Sequence, residues 1–147
     1  MEKVVLEKLF RSAIVIASEE QADDALRVFF RDFKSHSEFV PYLVELIEAD
    51  WHNRHEDIAQ CLQHLKDNRA TPALRRTALR KFGYLDEDNS YSLARKCTWA
   101  LADIGTEESR SALEEIARFD DEIIAGYALR RLERWHSELD RKGGREI

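Results

Sequence analysis

Helix breakers are scarce in this sequence: of 147 residues only two are proline and five are glycine. A chain so poor in turn formers, and rich in Ala, Leu, Glu and Arg, favours helix nearly throughout and leaves no convincing strand. Cysteine is equally scarce. Cys61 and Cys97 lie 36 residues apart with no CxxC pair, which excludes a disulfide framework and a zinc knuckle and leaves two small core residues. Long hydrophobic runs are missing too. The stretch Ala13 to Ala17 falls far short of the ~20 residues a bilayer span needs, and Glu2 and Glu7 spoil a signal-peptide reading. A cytoplasmic address with no membrane partner is the expectation.

Catalytic signatures are also lacking. There is no glycine-rich phosphate loop, no Ser-His-Asp order and no paired catalytic carboxylates, so the expectation is a protein that is not an enzyme and uses no cofactor. The formal net charge of −6 repels phosphate backbones and makes nucleic acid an unfavoured ligand, while a basic protein suits it better. With 44% hydrophobic and 35% charged residues, the chain is ordinary for one folded domain and too hydrophobic for a disordered one.

Eight helices are predicted, over about 2–17, 20–34, 37–50, 53–67, 71–83, 90–104, 107–118 and 121–141. Pro41 and Pro72 fall in the first turns of two of them, where a missing N–H costs little. Gly83, the polar loop Asp86-Glu-Asp-Asn-Ser90 and Gly105 punctuate the chain, and Thr106 and Ser109 suit a new helix start.

Three helices share a spacing: Ile58-x2-Cys61-x3-Leu65, Ala94-x2-Cys97-x3-Leu101 and Ala125-x2-Ala128-x3-Leu132, offset by 36 and 31 residues. Twelve residues before each set stands a large apolar side chain, Leu46, Phe82 or Leu113. Small residues let helices approach, and the leucine one turn on fills the layer between units, so each helix pair buries its face against its neighbours. The stretch Ala100-Leu-Ala-Asp-Ile-Gly-Thr-Glu-Glu-Ser-Arg-Ser-Ala-Leu-Glu-Glu-Ile116 resembles HEAT-like repeats, whose inner helix often ends in a similar run before the next outer helix. The resemblance covers roughly residues 39 to 135 and is strongest around 91–118. It implies an all-α fold, a short α-solenoid of antiparallel helix pairs. Residues 1–36 would form an N-terminal hairpin cap, 37–141 the helix pairs and 142–147 a flexible tail.

The segment LARKCTWALADIG, Leu93 to Gly105, then separates into two faces. Cys97 shares a stripe with Ala94, Leu101 and Ile104, with nothing nearby in sequence to lower its pKa. At ~100° per residue Trp99 points about 180° away from that stripe, beside Arg95, Lys96 and Asp103. Trp99 is thus either an exposed anchor for a partner or a plate packed sideways on the adjacent repeat. Shifting by the repeat offsets sets Gln63, Trp99 and Arg130 in one row. Gln60, Lys96 and Tyr127 flank it on one side, and Asp67, Asp103 and Arg134 on the other. This strip is the expected partner-binding surface.

Other polar groupings are read blandly. His52, His55 and Glu56 have helix-neighbour spacing but no HExxH order, so they are expected at a surface helix start, with Trp51 stapling the turn. Asp86 to Asn89 lacks the glycine and bidentate Glu of a calcium loop. No metal site is expected. Arg69, Arg75, Arg76, Arg80 and Lys81, without an intervening acid, read as a solvated basic strip.

Small acidic HEAT-like proteins of this kind are similar to immunity proteins of bacterial toxin systems, including contact-dependent inhibition. That resemblance implies a binding module that neutralises a cognate toxin, its partner possessing a basic domain. A generic HEAT-like adaptor is the near alternative. A HEAT-like DNA-binding protein or DNA glycosylase is a further one, to which Trp99 and Asp103 with Lys96, Arg130 and Arg134 bear a superficial likeness.

Overall fold

The computed structural model describes residues 1–80, 82, 85 and 88–141. Among them the chain forms nine α-helices and no strand: α1 (Lys3–Ile16), α2 (Glu19–Val28), α3 (Val40–Glu48), α4 (His55–Leu65), α5 (Thr71–Ala78), α6 (Asp88–Ile104), α7 (Glu107–Ala117), α8 (Glu122–Glu133) and α9 (Trp135–Arg141). No described helix is long and apolar enough to cross a membrane.

Local chemistry sets the boundaries. Ser18 accepts from the Gln21 N–H at the start of α2, and Asp121 accepts from the Ile123 and Ile124 N–H groups at the start of α8. Each supplies an acceptor for amides that have no partner within the helix. Pro41 and Pro72 occupy the first turns of α3 and α5, as their missing N–H allows. Both helices are entered through short 3-10 turns, Ser37–Phe39 and Asn68–Ala70. Gly105 ends α6 with φ 70°, a left-handed conformation that costs glycine little. Thr106 and Ser109 then exchange side-chain and backbone hydrogen bonds at the start of α7, a reciprocal capping box.

Each helix must bury one apolar stripe, and the packing follows. Consecutive pairs α1/α2, α3/α4, α5/α6 and α7/α8 are in contact. In addition α1 touches α3, α3 touches α5 and α5 touches α7, while α4 packs on α6 and α6 on α8. The repeated spacing lies inside this framework: Ile58, Cys61, Ala94, Cys97, Leu101, Ala125 and Ala128 are buried, as are Leu46, Phe82 and Leu113. One core runs from Leu6 to Trp135, so residues 1–36 share it. Phe10 stacks on Tyr42 at 5.4 Å, meets Phe29 edge-on and lies tilted against Phe39, joining α1 to α3. Each such ring withdraws apolar area worth roughly 2–3 kcal/mol from water.

The helices differ from the predicted ones in five places. The expected 37–50 helix is a 3-10 turn followed by α3, and α2 ends in a π-helical turn, Phe29–Phe33. The expected 71–83 helix stops at Ala78, because Phe82 leaves the helical path to lie against His55 at 4.0 Å. The α6 helix begins at Asp88, taking up part of the anticipated polar loop. Gly83, Asp86 and Glu87, with the tail 142–147, lie outside the described residues. Finally, the anticipated 121–141 helix is two. Arg134, at φ −103° and ψ 14°, ends α8. The turn lets Trp135 sink to 2% exposure beneath the Arg110 guanidinium.

A candidate binding groove across alternate helices

The predicted strip lies on α4, α6 and α8, with Asp67 just beyond α4 and Arg134 capping α8. Two contacts join its rows across helices. Gln63 donates its amide N–H to Asp103 at 2.8 Å, tying α4 to α6. The Arg131 guanidinium lies 3.7 Å from the centre of the Trp99 ring, tying α8 to α6. Trp99 is half-buried. One contact goes to the neighbouring helix, and its ring also lines an open depression.

Four such depressions adjoin one another. The first, about 320 Å³, opens between the end of α2 and α4, over Phe30, Lys34, Asp57 and Gln60. The second, about 430 Å³, shares Gln60 and His64 with it and reaches Lys66 and Asp103. The third, about 390 Å³, lies over Gln60, Gln63, Arg95, Lys96 and Trp99. The last, about 330 Å³, shares Arg95 and continues to Tyr91, Ile123 and Tyr127. Together they form a groove running from the π-helical turn across α4 and α6 to α8. Amides, cations and aromatic faces alternate along it, a lining that combines apolar contact with hydrogen bonds.

Other members of the strip have more local duties. Asp67 accepts from the Arg69 backbone N–H and its guanidinium at the 3-10 turn, and the Arg69 hydrogen bond is the chief reason its carboxyl is held below the ordinary range. Arg134 reaches Glu138 at 3.7 Å. Arg130 is exposed on α8. The residue that sequence reasoning passed over is its neighbour Arg131, 4% exposed, which donates to Glu138 at 2.7 Å. Burial lowers the Arg131 pKa from its ordinary value, and the Glu138 carboxylate opposes that shift. The only sequence signal was position, one residue past the row containing Trp99 and Arg130. Phe30, Lys34 and Tyr91 were missed because the first two lie in the presumed cap and none belongs to the repeated spacing.

Both thiols belong to the core. Burial pushes Cys61 up to about 12 and raises Cys97 further, which removes the thiolate that reactivity would need.

The His52–His55 segment does start a helix, α4 beginning at His55, but its two histidines are not on the surface. Both rings are buried and stacked 4.3 Å apart. The His52 Nε2–H donates to the Leu46 carbonyl and the His55 Nε2–H to the Ala49 carbonyl, satisfying acceptors at the end of α3. His52 Nδ1 accepts the Arg54 N–H at 3.0 Å, which requires its neutral tautomer. Desolvation lowers both pKa values, His55 to about 4. Trp51 packs edge-on against His52 at 5.3 Å, stapling the turn as expected. Among the described residues no group of three or more His, Cys, Asp or Glu side chains is placed to hold a metal ion.

The expected solvated basic strip is instead ion-paired. Arg69 meets Asp67, Arg75 meets Glu115, Arg76 meets Glu48 at 2.6 Å and Arg80 meets Asp50; Lys81 lies outside the described residues. Comparison with models of known protein families, with curated proteins and with solved structures found no match.

Proposed function

We propose that this chain is a non-enzymatic protein-binding module, built as a short α-solenoid whose groove across α4, α6 and α8 receives one protein partner. The observation that carries the reading is the row of four adjoining depressions, each sharing lining residues with the next. The contacts of α1 with α3, α3 with α5, α5 with α7, α4 with α6 and α6 with α8 support the solenoid arrangement, because a repeat array buries its units only against their neighbours. Gln63–Asp103 and Trp99–Arg131 brace the groove floor before any partner arrives, and a braced surface loses less entropy on binding.

In its most specific form the proposal is an immunity protein acting in the cytoplasm, one that neutralises a toxin by occupying this groove. The resemblance to HEAT-like repeats and the acidity support it. Net charge favours a basic partner at long range, whereas contact within the groove is governed by its own lining. The test is co-expression with the product of the adjacent upstream gene. The proposal expects a stable complex and rescue of growth, both lost in the Trp99→Ala, Arg130→Ala double variant while its helical signal persists. Rescue that survives this double variant would remove the groove from the account, and a toxin that kills regardless of the protein would remove the immunity reading.

A further inference from the structure

Cations are distributed unevenly in this molecule. Outside the groove several are neutralised, Arg54 on Asp23, Arg75 on Glu115, Arg76 on Glu48 and Arg80 on Asp50, while Arg110 lies over the Trp135 ring and Lys8 and Arg118 have no ion pair among the described residues. Along the groove Lys34, Lys66, Arg95 and Lys96 have no ion-pair partner among the described residues. Two carboxylates share that lining: Asp57 lies 3.8 Å from Arg54, and Asp103 accepts from Gln63, itself a lining residue whose neutral amide leaves the Asp103 charge in place, so four cations face two acids. A chain of formal charge −6 thus presents a locally positive groove. Holding more cations than carboxylates on one face is unfavourable in the free protein, and an anionic ligand relieves it.

We infer that the groove binds an acidic, extended segment of the protein partner, with carboxylates set against Lys34, Lys66, Arg95 and Lys96 and apolar side chains against Phe30, Trp99 and Tyr127. The inference rests on the proposed reading of this face as the partner's seat. Packed helices lie about 10 Å apart, so a groove crossing from the end of α2 to α8 is on the order of 30 Å long and spans roughly nine extended residues. Alternate side chains of such a strand face one way, a spacing that lets acidic residues avoid Asp57 and Asp103. A nucleic-acid backbone carries a charge at every nucleotide and cannot skip those carboxylates, and the overall negative charge repels a long polyanion. The lining therefore favours a peptide.

The experiment is an amide-resolved NMR titration of the full chain with four probes: a twelve-residue Glu/Tyr peptide, its Lys/Tyr and Ser/Tyr counterparts, and a twelve-nucleotide oligothymidylate. The inference expects the Glu/Tyr peptide to shift amides of α4, α6 and α8 most strongly. An Arg95→Glu, Lys96→Glu variant should then weaken it about tenfold or more, while Lys8→Glu on α1 leaves it within about twofold. Tighter binding by oligothymidylate overturns the inference in favour of nucleic acid. Groove shifts produced by the Lys/Tyr or Ser/Tyr peptide but not by the Glu/Tyr peptide overturn the acidic chemistry and leave the groove intact as a peptide site. Absence of groove shifts with all probes overturns the inference, and a co-expressed partner that still loses its complex in the Trp99→Ala, Arg130→Ala protein shows that the groove reading survives it.

Discussion

Replacing Arg131 by methionine retains much of its length while removing the cation that stands between Trp99 and Glu138. In the native protein its guanidinium lies 3.7 Å from the Trp99 ring centre and 2.7 Å from a Glu138 oxygen, with both charged side chains only 5% exposed. A desolvated cation–π contact contributes about 2 kcal/mol and a charge-assisted hydrogen bond about 1.5–3. Deleting one member of a buried pair typically costs about 3–5 kcal/mol, because the surviving charge is left without compensation. Arg134, 3.7 Å from Glu138 and half-exposed, softens that loss, so the expected cost is about 3 kcal/mol. For a domain of this size it corresponds to a fall in Tm of roughly 10 °C. Urea unfolding followed by circular dichroism, on the wild type, Arg131→Met, Glu138→Leu and the double variant, completes the cycle. The double variant should lose only about 1 kcal/mol, since no isolated charge remains buried. A near-neutral Arg131→Met, or a double variant as damaged as the sum of the singles, would refute the reasoning.

Acid sensitivity should come first from the stacked histidines. Their folded pKa values lie below the ordinary 6.5, with His55 at about 4, so the unfolded chain takes up protons that the fold refuses. Stability is therefore full above pH ~6.5 and falls as pH drops toward 4, by about 3 kcal/mol for His55. Urea midpoints between pH 7.5 and 5 should trace this fall, and a folded His55→Phe protein should show a shallower slope; an unchanged slope would contradict the assignment. At the start of α7, Thr106→Ala removes both the cap to Ser109 and a 2.6 Å hydrogen bond to Asn68, with an expected loss of about 1–2 kcal/mol in the same assay. Thr106→Ser, which keeps the hydroxyl, should recover most of it.

Local rules made much of the helical framework legible in advance. The two prolines, Gly105 and the Thr106–Ser109 pair act within one or two turns, and the Cys61, Cys97 and Ala128 stripes are periodic, so sequence spacing alone locates them. What escaped depends on neighbours distant in the chain. Trp99 became interpretable only when α8 brought Arg131 over its ring, and the burial of His52 and His55 needed the carbonyls of Leu46 and Ala49 at the end of α3. Arg134 interrupts the last helix because Trp135 has somewhere to be buried, which no local propensity records. The pairing of Arg75, Arg76 and Arg80 with acids is likewise a property of the assembled surface. Arg76 and its acid Glu48 are 28 residues apart, and the basic run by itself gives no hint of that partner.

The central claim is that a protein partner occupies the groove across α4, α6 and α8. It is tested most directly by placing a photo-crosslinking amino acid at one of two exposed positions, Gln60 in the groove or Glu114 on α7, and irradiating living cells. The account predicts that the Gln60 position captures one protein, which also co-purifies stoichiometrically with the unmodified chain, and that the Glu114 position does not capture it. Capture of that co-purifying partner from Glu114 and not from Gln60 would contradict the account.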